Sequence, residues 1–95
     1  MHVANIKPKK KWTDIETLVT EAIGETGEID PAKKYELTNN GGANVCIVSQ
    51  LAAPAENVTG LIVPAGKSYK YVGGTNMCYL KSGGACDVHI EEIEG

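Results

Sequence analysis

The fold class is decided by residues 77–91, MCYLKSGGACDVHIE. From Cys86 to Ile90 every second residue is apolar, and this period of two predicts a strand with one face in a core. The preceding apolar run ends at Ser82-Gly83-Gly84, which is typical of a turn. We therefore predict an antiparallel hairpin. If it has a three-residue loop centred on Ser82, Cys78 lies opposite Cys86. A disulfide would be geometrically feasible there after oxidation.

A second hairpin is predicted over residues 35–49, with Asn39-Asn40-Gly41-Gly42 as the turn. Asparagine and glycine adopt turn conformations at low cost. A three-residue loop sets Leu37 opposite Val45, so that apolar pairs share one face, whereas a two-residue loop sets Leu37 opposite Asn44. We favour the three-residue loop.

Short apolar runs continue between the two hairpins, at residues 61–63 and 68–72, and turn residues separate them. The chain has sixteen valines and isoleucines, five leucines and no phenylalanine, and a β-branched core favours strands. We predict an all-β fold, a small antiparallel sandwich or barrel of about six to eight short strands.

The beginning of the chain has a different pattern. Lysines surround Pro8 in residues 1–11, which we predict to be a basic arm, with residues 12–95 forming one sandwich domain. Thr13 and Glu16 fit a capping box for a short helix that ends at Gly24. Because many residues in this segment are β-branched, a single helical turn running into a strand is the alternative.

Composition excludes several classes of protein. Ninety-five residues provide one small core, without room for a cleft between two lobes. The net charge of −3 and the absence of arginine argue against nucleic acid as a partner. No apolar run approaches the ~18 residues of a membrane span, and the first residues lack the apolar stretch of a signal peptide. We expect synthesis in the cytoplasm and three reduced cysteines.

Two groups of residues are candidates for chemical sites. Cys46, Cys78, Cys86 and His89 lack the close ligand spacing of a zinc site, so we expect buried thiols and no metal or other cofactor. Asp87 and His89 lie two apart on one strand, where a carboxylate could orient a general base. No nucleophile motif accompanies them, and an exposed polar strand face explains both residues, so we predict that the chain is not an enzyme.

Charged and aromatic residues give the candidates for partner binding. The basic arm and the acidic end are either solvated termini or segments that order on a neighbouring subunit. Nucleic-acid contact by the arm is a minor third alternative. The tyrosines either fill gaps at the core margin or form a platform for sugars or bases. The candidate residues are Lys7, Lys9, Lys10, Lys11, Trp12, Tyr69 and Tyr71.

The order of these features resembles that of small β-structured proteins from the structural modules of tailed bacteriophages. The resemblance covers about residues 12 to 92 and rests on a rhythm of strands and turns. It is carried by Trp12-Thr13-Asp14-Ile15, by Lys34 to Gly42 followed by Val45-Cys46-Ile47, by Pro54, Gly60, Val63-Pro64, Tyr69 and Tyr71, and by Asn76 to Lys81.

The resemblance implies a head-decoration, head-fibre or other virion-associated protein on the capsid surface, made in the host cytoplasm. Its expected partners are the major capsid protein or another virion protein, and further copies of itself, with a trimer favoured. The N-terminal segment is expected to anchor it. The alternative is a tail- or fibre-associated module that binds host-surface glycan. The family has no active site, so no catalytic residue is carried over.

Overall fold

In a computed structural model of the chain, two four-stranded antiparallel sheets pack against each other. The structure describes residues 2–25, 33–50, 52, 54–55, 57–58, 60–72, 77–84 and 86–93. The elements in these residues are β1 His2–Ile6, β2 Thr13–Asp14, α1 Ile15–Ile23, β3 Lys34–Asn39, β4 Val45–Gln50, β5 Leu61–Val63, β6 Ser68–Val72, β7 Met77–Ser82 and β8 Val88–Ile93. The predicted all-β sandwich is confirmed.

Most consecutive strands lie in different sheets. The first sheet has the order β1-β8-β3-β6 and the second the order β2-β7-β4-β5. Among the described elements, β4 and β5 are the one pair of successive strands that are also hydrogen-bonded neighbours. The chain therefore crosses repeatedly from one sheet to the other, and most strand pairs join distant parts of the sequence.

Both predicted hairpins are wrong. Strand β3 pairs with β6 and β8, and β4 pairs with β5 and β7, so that Leu37 faces Tyr69 and Ile90 while Val45 faces Val63 and Ser82. Strands β7 and β8 likewise lie in different sheets. The segments between β3 and β4 and between β7 and β8 therefore connect different sheets. Turn residues permit such a corner as readily as a hairpin.

The side chain of Asn39 holds the first of these corners. It is 1% exposed. Its Nδ2 donates to the carbonyl oxygens of Ala43 at 2.8 Å and Val63 at 2.9 Å. Its Oδ1 accepts from the N–H of Gly41 at 3.0 Å and from the thiol of Cys86 at 3.0 Å. Every hydrogen-bonding position of the amide is occupied, so the buried polar group carries no penalty for missing partners.

The core between the sheets consists of aliphatic side chains with two tyrosines and two cysteines, as the composition predicts. The alternation predicted for β8 is confirmed, since Val88 is 2% and Ile90 0% exposed while His89 between them is partly exposed. The buried apolar residues are Ala4, Ile6, Ile15, Leu18, Val19, Tyr35, Leu37, Val45, Ile47, Val63, Tyr71, Cys78, Leu80, Cys86, Val88 and Ile90.

The helix is present, and it begins one residue later than the capping box predicts. Its N-cap is Asp14, whose carboxylate accepts from the N–H of Thr17 at 2.9 Å, whereas Thr13 belongs to β2. Gly24, at φ 78°, ends it in the left-handed conformation that glycine adopts without strain. Helix α1 packs beside β1, β2 and β7, and so covers the side of the sandwich where the edge strands β1 and β2 lie.

The prediction of a basic arm over residues 1–11 is wrong for residues 2–6. Residues 2–6 form β1, which pairs with β8, and Ala4 and Ile6 are buried in the core. Pro8 is buried as well. The basic charges of this segment therefore lie on a part of the chain that belongs to the sandwich.

Candidate docking surface

The exposed lysines of the N-terminal segment lie where the chain crosses from one sheet to the other. Residues 7–12, here called the lysine crossover, join β1 at the edge of the first sheet to β2 at the edge of the second. The backbone of the crossover is held at two points. The carbonyl of Lys9 accepts from the N–H of Ser82 at 2.8 Å, and the carbonyl of Lys11 accepts from the hydroxyl of Thr13 at 3.0 Å.

The lysine side chains of the crossover point into solvent. Lys7, Lys9, Lys10 and Lys11 are all exposed. Lys9 forms an ion pair with Glu21 of the helix, with 2.6 Å between Nζ and Oε2. Lys7, Lys10 and Lys11, here called the lysine patch, are thus three exposed positive charges within five residues of a chain whose net charge is −3.

Trp12 ends the crossover in a partly buried position. The ammonium of Lys81 lies 4.8 Å from the centroid of its ring, in cation–π contact. The indole N–H of Trp12 is buried without a hydrogen-bond partner in the described residues. The cation–π contact thus joins the end of the crossover to the positive charge of Lys81 on β7.

The two tyrosines proposed for partner binding are placed differently. Tyr71 is 4% exposed and stacks on Tyr35, with ring centroids 6.5 Å apart and planes inclined by 28°. Tyr69 is partly buried and packs against the same core. Burial raises the pKa of both phenols. Because Tyr71 lies inside the sandwich, the pair does not form an open platform for sugars or bases.

The ring nitrogens of His89 lie beside side chains other than that of Asp87. The Nδ1 of His89 lies 3.1 Å from Oδ1 of Asn5, and its Nε2 lies 2.9 Å from Oε1 of Glu91. Both ring nitrogens are therefore engaged by other side chains on the outer face of the first sheet. Asp87 instead accepts at its backbone carbonyl from the N–H of Asn40 at 2.7 Å.

The three cysteines are free and are not assembled into one site. Cys46 is partly exposed on β4, while Cys78 and Cys86 are buried in the core. Cys78 on β7 lies opposite Ser49 on β4, so the opposition to Cys86 that a three-residue hairpin loop would give does not occur. Burial raises the pKa of the Cys78 thiol to about 12, which makes it a poor nucleophile. Within the described residues, no group of His, Cys, Asp and Glu could hold a metal ion.

A second surface feature, which the sequence analysis did not single out, lies at the edge strand β5. Leu61 is 53% and Ile62 48% exposed, and Val58 just before the strand is 37% exposed. The sequence indicates that at least one apolar residue of this strand faces outward. Three successive apolar residues between Gly60 and Pro64 cannot all face inward, because neighbouring side chains of a strand point to opposite faces. Lys81 was missed because its contact with Trp12 spans most of the chain.

Comparison with other proteins identifies no relative of this chain. No protein-family model, no curated protein sequence and no solved structure matches the chain. In the residues that the structure describes, no helix has the length and apolar character needed to cross a bilayer.

Proposed function

We propose that this protein is a non-enzymatic structural component of a tailed-phage virion, which decorates or cements the capsid surface and docks through the lysine crossover. The setting comes from the resemblance to small virion-associated β proteins. The contact comes from one observation, the fixed display of Lys7, Lys10 and Lys11 on an acidic chain.

Electrostatics supports this mode of docking. Opposite charges on two surfaces accelerate association and suppress wrong partners. The crossover is held to β7 by the Lys9–Ser82 hydrogen bond and by the contact of Trp12 with Lys81. Less conformational freedom is therefore lost on binding than with a free lysine tail, and an acidic strip on a capsid protein is the complementary partner.

The side-chain chemistry supports a role without catalysis. The imidazole of His89 is engaged at both nitrogens, and the Cys78 thiol is deeply buried with a raised pKa. The glycan-binding alternative relies on Tyr69 and Tyr71, and the burial of Tyr71 removes one of its two rings from the surface.

Charge reversal at the crossover is the direct test. Removing residues 1–11 would also remove β1 and the core residues Ala4 and Ile6, so a truncated chain is expected to misfold. The triple variant K7E/K10E/K11E keeps the strand and inverts the patch. The triple variant K34E/K67E/K70E changes exposed lysines elsewhere by the same total charge and is the matched control.

The measurement is co-sedimentation with capsids that lack the protein. We expect the wild type and the control variant to bind, with binding that weakens as salt rises. The crossover variant should bind at least tenfold more weakly. Equal binding by the two variants would remove the crossover from the proposal, and no binding by the wild type would overturn capsid decoration itself.

A further inference from the structure

The four strands at the edges of the sheets differ in how they are protected. An unpaired edge exposes backbone N–H and C=O groups to other chains, and proteins usually cover it, shorten it or place charges on it. Helix α1 packs beside β1 and β2, and β2 has just two residues. Strand β6 carries the exposed Lys70, and Lys67 precedes it. Strand β5 carries no charge within Leu61–Val63 and exposes the apolar side chains of Leu61 and Ile62, so its short length is its main protection.

The exposed leucine of β5 belongs to the inner face of the second sheet. Leu61 lies opposite Ile47, which is 3% exposed, and Val63 lies opposite Val45, which is 1% exposed. Leu61 is nevertheless 53% exposed. The apolar core of the sandwich therefore reaches the surface at this edge.

We infer that β5 pairs antiparallel with β5 of a second copy, across a twofold axis at Ile62. In this register each Ile62 faces its own counterpart on the outer face of the joined sheet. Leu61 of each copy lies beside Val63 of the other on the inner face, because antiparallel partners share a face. The two four-stranded second sheets become one continuous eight-stranded sheet.

Charge favours a second copy as the occupant. In a twofold contact a residue near the axis meets the same residue of the other copy, so a charge there would meet a like charge. The sequence from residue 58 to residue 66, VTGLIVPAG, which this register would align with itself, contains no charged residue. Self-pairing of this neutral stretch therefore brings no like charges together near the axis, whereas an acidic or basic partner strand would find no opposite charge on it.

The size of the contact sets its strength. A three-residue strand followed by Pro64, which lacks a backbone N–H, offers few ladder hydrogen bonds. The buried area is therefore expected below the roughly 1,200 Å² of stable interfaces. The dimer should be weak in dilute solution and become populated when copies are concentrated on a shared surface.

The test is sedimentation velocity on the purified protein, without capsids, over a wide range of concentration. We expect a monomer–dimer equilibrium that I62K abolishes, because the substitution sets two ammonium groups opposite each other. Ile23, at the end of the helix, is 42% exposed, and I23K is the matched control that should dimerise like the wild type. Circular dichroism verifies that both variants are folded.

A cysteine variant tests the register independently. Oxidised I62C should form a disulfide-linked dimer, whereas V58C on the same edge should not, since antiparallel pairing moves the two copies of residue 58 far apart. The partly exposed Cys46 is replaced by serine in both variants to remove background.

Each result decides the inference. A monomer at all concentrations, a dimer that survives I62K, or preferential crosslinking of V58C overturns it. A trimer, which the resemblance implies, overturns the twofold arrangement. Because this experiment contains no capsid and leaves the lysine crossover intact, its failure is separate from a failure of the proposed function.

Discussion

The thiol of Cys86 donates a hydrogen bond to the side-chain oxygen of Asn39 across 3.0 Å, although 47 residues separate the two. Asn39 ends a central strand of the first sheet, and Cys86 lies just before β8, the neighbouring strand. The same amide donates to the carbonyl of Val63 at the end of β5 in the second sheet. One buried side chain therefore joins three distant segments and both sheets.

Replacing Asn39 by alanine should cost about 3 kcal/mol or more of unfolding free energy, because several buried partners lose their hydrogen bonds at once. Asn40 has an exposed side chain, and N40A should change stability by less than about 0.5 kcal/mol. Urea unfolding of both variants measures the difference. Similar midpoints for the two would show that the Asn39 amide does not hold the corner.

The adjacent glycines provide a second comparison. A Cβ atom on Gly41 would lie 2.6 Å from the Cα of Cys86 and 2.7 Å from the amide nitrogen of Asp87, whereas one on Gly42 would meet nothing within 4 Å. Backbone must move to accept G41A, so we expect a loss of about 1–3 kcal/mol. The variant G42A should be neutral or slightly stabilising. Thermal melts rank them, and a G41A melting temperature equal to that of G42A contradicts the close packing.

The helix cap can be tested in the same way. Because Asp14 caps α1 through the N–H of Thr17, D14A should lower stability by about 1 kcal/mol. For a domain of this size, that corresponds to a fall of about 4–8 °C in melting temperature. T13A loses a hydrogen bond outside the helix, and it should leave the melting temperature less affected. A larger loss in T13A than in D14A would restore the capping box predicted from the sequence.

Burial of Cys78 makes stability sensitive to alkaline pH. Its thiol has an ordinary pKa of 9.0 when unfolded, and burial raises the pKa to about 12 in the folded chain. The unfolded state therefore releases this proton first as pH rises, so the contribution is complete below pH 9 and is lost progressively up to about pH 12. The loss is about 1 kcal/mol for each pH unit in this window.

C78A removes this titration, although the smaller side chain lowers stability at neutral pH. Tyrosines and lysines titrate in both proteins, so the informative quantity is the difference between the two pH profiles. Urea unfolding from about pH 8 to about pH 11 should show the wild type losing stability more steeply than C78A. Parallel pH profiles for the two proteins would mean that the thiol of Cys78 has the same pKa in the folded and unfolded states.

The sequence predicts the local features of this fold well and the pairing of its strands poorly. The alternation from Cys86 to Ile90 identifies the inward residues because facing depends on neighbouring positions. Pairing depends on distant contacts. Residues 39–42 contain the same turn residues whether they close a hairpin or a corner, and the contact that decides, from Asn39 to Cys86, lies 47 residues away.

The candidate surfaces were predictable to different degrees. The run of lysines from residue 7 to residue 11 is visible in the sequence. Its attachment to the sandwich depends on the burial of Ala4 and Ile6 in β1, and an apolar alternation of only two residues is too short to predict a strand. The edge at Leu61 and Ile62 was not identified as a surface. The position of β5 at the edge of its sheet follows from the strand order, which the local sequence of Leu61–Val63 does not reveal.

The central position of β8 between β1 and β3 has a consequence for biosynthesis. While a ribosome is still making β8, the first sheet lacks the strand that lies between β1 and β3. Few local pairings exist to stabilise a partial structure, and folding that depends on distant contacts is slow. We therefore expect the nascent polypeptide to stay unfolded until β8 has emerged, so that shorter translation products are open to proteases.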